Sequence, residues 1–102
     1  MDNEFRTNLE ILCEAFQEKA NSEPHEVSRT YYELYYEILC GYLMSDRDLR
    51  PLIANMINQI DIRIPWAQKL EAESLRVVRD GLVEVMEKDP LMRKVMLKSS
   101  TY

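Results

Sequence analysis

Any chemistry that needs a base, a nucleophile or a soft metal ligand has little to draw on in this chain: one histidine, His25, and two cysteines, Cys13 and Cys40. A catalytic thiol needs a base within hydrogen-bond reach, and a zinc site usually shows closely spaced ligand pairs. Neither cysteine belongs to a C-x-x-C run, and neither has a histidine beside it. Cys13 and Cys40 therefore read as ordinary buried thiols, with no redox pair indicated. His25, near a helix start between Glu23 and Glu26, reads as a solvated or capping side chain.

Carboxylates are plentiful but not arranged for a site. A carboxylate metal centre in a helical bundle presents Glu-x-x-His repeats on inward faces, and no such repeat occurs. Glu33 and Glu37 are one helical turn apart on a polar side, the position of a solvated face. Gly41 and Gly81 are the only glycines, and neither belongs to a strand-turn-helix unit that could cradle phosphate. No catalytic residue, cofactor or metal is expected, and the chain reads as non-enzymatic.

The elements that must carry whatever function exists are helical. With 102 residues, 46% of them hydrophobic and 30% charged, the chain has material for one domain spanning residues 1–102. Two glycines and four prolines are too few for a fold rich in turns. The formal net charge is −5, and residues 1–44 hold nine acids against three bases. Only Arg93, Lys94 and Lys98 near the carboxyl end reverse this, so direct nucleic-acid binding is not expected. Glu4, Glu10 and Glu14 interrupt any apolar leader, and no run approaches the roughly 18 apolar residues of a membrane span. A soluble, cytoplasmic protein is the expectation.

Phe5, Leu9, Leu12 and Phe16 recur at helical spacing and predict a first helix over about 3–20. Ser22 is the expected N-cap of a second helix over about 23–44, with Glu23 and Pro24 in its first turn. Asp48 should cap a third helix whose Leu49, Leu52, Ile53, Met56, Ile57 and Ile60 form a single stripe, with Pro51 tolerated in the first turn. In "IDIRIP", Ile60, Ile62 and Ile64 alternate with Asp61 and Arg63, which predicts an extended linker or a short strand paired across a dimer axis. A fourth helix over about 66–88 carries Trp66, Leu70, Val77, Val78 and Val85 on one face beside a line of small residues, Ala67, Ser74 and Gly81. Asp89 and Pro90 should open a short fifth helix. The expected fold is all-α, a compact bundle of four helices plus a short C-terminal fifth.

The second helix has the most apolar surface. Val27, Tyr31, Leu34, Tyr35, Ile38 and Tyr42 form one stripe, assigned to the core and seated on the small-residue line of the fourth helix. Tyr32, Tyr36, Leu39 and Leu43 form a second stripe beside it. Tyrosine suits a surface that is dry at one end and wet at the other, so this second stripe is the expected partner-binding site, with intramolecular burial as its alternative. A protein–protein interaction module follows, homodimeric and able to bind or occlude a further, unidentified protein. The acidic amino-terminal half supports a second reading: a small inhibitor of the phage or viral counter-defence type that docks on a basic, nucleic-acid-binding surface of a target.

Overall fold

The computed structural model describes residues 3–89 and is all-α. Four helices follow one another: α1 (Asn3–Ser22), α2 (Glu26–Leu43), α3 (Leu49–Arg63) and α4 (Lys69–Lys88), with a 3-10 turn, Ile64–Trp66, between the last two. The expected fifth helix, from Pro90 onward, lies outside the described residues. Short connections make successive helices antiparallel. One end of the bundle therefore gathers the start of α1, the end of α2, the start of α3 and the end of α4. The other end gathers the α1–α2 connection and the 3-10 turn. The Cα atoms span 38 × 32 × 18 Å, the last dimension being little more than two packed helices.

Local chemistry sets the boundaries. Asp48 caps α3 as expected, its carboxylate accepting from the Arg50 N–H at 3.2 Å, and Pro51 sits in the first turn. Ser22 does not cap α2. It ends α1, donating its hydroxyl back to the Glu18 carbonyl at 2.9 Å. The N-cap of α2 is His25, and the Glu23 carboxylate accepts from its backbone N–H at 3.0 Å. "IDIRIP" is neither linker nor strand: α3 runs through Arg63 and tightens into the 3-10 turn. Ile60 and Ile64 are one helical turn apart, so a helix holds them on one side as well as a strand would. Ile62 separates the two patterns. A helix turns it outward, and it is 56% exposed.

The core is a single cluster with α4 at its centre. This helix packs against α1, α2 and α3, and it buries Ala72, Leu75, Val78, Leu82, Val85 and Met86. Phe5, Leu9, Cys13, Phe16 and Ala20 of α1 meet it, as do Leu49, Ile53, Met56 and Ile60 of α3. Sequence pattern put Trp66 and Leu70 on the buried face of the fourth helix. Instead α4 begins at Lys69, and Trp66 and Leu70 are exposed. The small-residue line is used in two ways. At Ser74 it admits α2, and at Gly81 it admits α1, where a Cβ would come within 2.7 Å of Leu12 Cδ1.

Buried polar groups pin the end opposite the 3-10 turn. Arg50 forks onto Asp89, donating from Nε at 2.6 Å and from Nη2 at 2.9 Å, and its guanidinium lies 5.0 Å from the centre of the Phe5 ring. The beginnings of α1 and α3 and the end of α4 are thereby joined. Arg6 donates to the carbonyls of Leu43 and Ser45, closing α1 onto the end of α2. Asp89 is thus the C-cap residue of α4 and a buried ion-pair partner.

Candidate functional site: an exposed aromatic end

The residues buried along α2 are Ser28, Tyr32, Tyr35 and Leu39. They recur at four, three and four positions, and they run between the two stripes expected for this helix. Ser28 hid this line because its side chain is polar. Its hydroxyl lies 2.9 Å from that of Ser74, so two small side chains meet where α2 crosses α4. The hydroxyl of Tyr32 also engages Ser74.

This arrangement corrects the expected partner-binding stripe at Tyr32 and Leu39. Tyr32 is 7% exposed and Leu39 is fully buried, both within the chain's own core, while Tyr36 and Leu43 are half-buried against it. Tyr32 and Leu39 have almost no surface left to offer a second molecule, whereas Tyr36 and Leu43 keep part of theirs. The expected core stripe is corrected in the opposite sense. Tyr35 is buried, Tyr31, Ile38 and Tyr42 are half-buried, and Val27 and Leu34 are exposed.

Val27, left uncovered on α2, joins an end built from α3, the 3-10 turn and α4. Val27 and Leu70 line one shallow groove with Gln68, Lys69 and Glu71. One turn along α2 from Val27, the Tyr31 hydroxyl donates to Glu71, and Arg63 reaches the same hydroxyl at 3.3 Å. Arg63 also stacks over the Tyr31 ring at 5.7 Å and pairs with Glu71 at 3.8 Å. Beyond this cluster Trp66 projects from the 3-10 turn, 88% exposed, with Ile62 one turn earlier and also exposed. Met44 is equally exposed at the opposite end, but the residues following it are Ser45, Asp46 and Arg47.

Electrostatics fix the centre of this patch. The Tyr31 hydroxyl first, then the Gln68 backbone N–H, hold the Glu71 carboxyl below its ordinary value. Burial, followed by the hydrogen bond to Glu71, raises the pKa of Tyr31. Near neutral pH the cluster is therefore an ionised Glu71 tied to a neutral Tyr31 and offset by Arg63. Trp, Tyr and Arg are the side chains that most often dominate the energy of protein interfaces. Sequence pattern hid this place, because a proline just before Trp66 is a helix-start signal, whereas Pro65 and Trp66 form the 3-10 turn and α4 begins three residues later.

The two thiols form a second juxtaposition that sequence spacing concealed. Cys13 on α1 and Cys40 on α2 place their sulfur atoms 3.2 Å apart, so they do not stand apart as read from the sequence. No group of three or more His, Cys, Asp and Glu side chains placed to hold a metal ion is found among the described residues. No described helix is long and apolar enough to cross a membrane. No protein-family model matches the chain, and no curated protein or solved structure is significantly similar to it.

Proposed function

We propose that this chain is a non-enzymatic, cytoplasmic protein-interaction module whose contact surface is the end centred on Trp66, and that a second copy of the chain is its first partner. The observation that carries this reading is the 88% exposure of Trp66 on the 3-10 turn, between the end of α3, where Ile62 is exposed, and the start of α4, where Leu70 is exposed and shares a groove with Val27. Leaving a tryptophan ring in water forgoes roughly 1.5 to 3 kcal/mol that burial would provide, which a monomer has no folding reason to accept. The charges at this end include opposing groups: Arg63 offsets Glu71. Two copies can therefore meet here through apolar contact, with Tyr31, Arg63 and Glu71 forming a pre-ordered polar border.

Trp66 is the sole tryptophan and reports on its own burial. Its fluorescence should move to shorter wavelength as protein concentration rises and the ring leaves water. Water-like emission at every concentration would exclude self-association through this end.

A second reading rests on a different surface. Glu10, Glu14 and Glu18 of α1 and Glu26, Glu33 and Glu37 of α2 are all exposed, so the α1–α2 hairpin carries much of the chain's negative charge. This surface suits an inhibitor docking on a basic face of another protein. Such binding weakens steeply with salt, whereas contact through Trp66 does not.

A further inference from the structure

Cys13 and Cys40 lie on the two arms of one antiparallel hairpin, and their sulfur atoms are 3.2 Å apart. Cys13 is buried and also touches the Tyr36 carbonyl at 3.6 Å, whereas Cys40 is half-buried. Forming a bond of about 2.05 Å requires the sulfurs to close from 3.2 Å. Cys40 is thus the more accessible residue of the pair, and Cys13 is the buried one.

We propose that Cys13 and Cys40 form a thiol–disulfide exchange site, converted to an intramolecular disulfide by a low-molecular-weight disulfide of the glutathione class. The inference is independent of the Trp66 surface. Cys40 gives its proton to water and attacks one sulfur of the small disulfide. A bond from Cys40 to that sulfur forms, the small disulfide's own bond breaks, and the released thiolate takes up a proton. Cys13 then loses its proton, attacks the Cys40 sulfur and displaces the second small thiol. Two protein thiols are oxidised to one disulfide while one small disulfide is reduced to two thiols.

The surroundings set the order of attack. Burial first, then the hydrogen bond with Cys40, push the Cys13 thiol up from 9.0 to about 12, so it is a poor first nucleophile. Once Cys40 is tied up as a mixed disulfide, the contribution from Cys40 is gone, and burial, with the nearby Glu14 charge, slows the second step.

The test equilibrates the full chain in glutathione buffers from reducing to oxidising, quenches with acid, alkylates after denaturation and reads intact mass. Both alkylatable thiols should disappear together, with loss of two hydrogens per chain and no glutathione retained. Cys13→Ser should stop with one glutathione on Cys40. The oxidised wild-type chain should melt about 10 °C or more higher, because the cross-link closes a long loop in the unfolded state. Thiols that stay alkylatable at the oxidising limit would overturn the proposal. So would wild-type protein that stops at the glutathione adduct, cross-links between chains, or a disulfide that lowers the melting midpoint.

Discussion

Arg50 and Asp89 leave only 10% and 6% of their side chains exposed, and their two-point contact satisfies charge removed from water, with Asp48 also 3.7 Å from the Arg50 guanidinium. Breaking a buried pair from one side removes its best charge partner, which typically costs about 3 to 5 kcal/mol. Asp89→Ala should therefore lower the denaturant midpoint by a corresponding amount without altering the Trp66 end, as urea titration would measure. Cys13 gives a second prediction, in pH. Its folded-state value near 12 lies above the ordinary 9.0, so above pH 9.0 the unfolded chain releases a proton that the folded chain retains. Stability is then fully present below pH 9.0 and is lost progressively toward pH 12. Tyr32 and Tyr35, raised from 10.0 by burial, add to the same decline. Thermal melts across this range should show the fall, and Cys13→Ser should remove its earliest part. Little of this chemistry was legible beforehand. Asp89 was readable as a capping residue, but no spacing pairs it with Arg50, and pairing Cys13 with Cys40 requires knowing how α1 lies on α2.

Helices were the legible scale, because an apolar stripe repeating at three and four positions has few other solutions. The stripes of α1 and α3 are buried where their spacing put them, and Asp48 caps α3. Errors fell where a pattern satisfied two structures, or where polar residues held core positions. Ile60 and Ile64 fit a strand and a helix alike, and a tertiary contact turned Ser28 inward. In α2, the apolar surface exceeded half the circumference, so periodicity could not say which side faced α4. Space around Gly41 supplies a test at this scale. A Cβ there would meet nothing within 4 Å, and the residue lies inside a helix at an exposed position. Gly41→Ala should raise stability by about 0.5 to 1 kcal/mol, read from chemical denaturation, since it restores helix propensity without a clash. At Gly81 the same change meets Leu12 at 2.7 Å, so the gain should shrink or reverse.

At the scale of the molecule, α4 rather than α2 takes the centre, and this decides which tyrosines are available. A flat bundle with a central fourth helix buries Tyr32 and Leu39 and leaves Trp66 and Arg63 at the other end facing water, with Tyr31 half-buried. The idea of an aromatic contact surface thus moves from the middle of α2 to the α3–α4 connection. If Trp66 anchors the contact, Trp66→Ala should weaken association by about 2 kcal/mol or more, roughly 30-fold. Acids concentrated on the α1–α2 hairpin leave the electrostatic alternative distinguishable, because only one of the two surfaces is screened by salt. The decisive measurement is the molar mass in solution by sedimentation equilibrium, at low and high salt, for the wild-type chain and for Trp66→Glu. Association through the Trp66 end predicts twice the 12.1 kDa chain mass at both salt concentrations and a folded species of 12.1 kDa for the variant. A wild-type mass of 12.1 kDa under both conditions, or a dimer that survives Trp66→Glu, would contradict it.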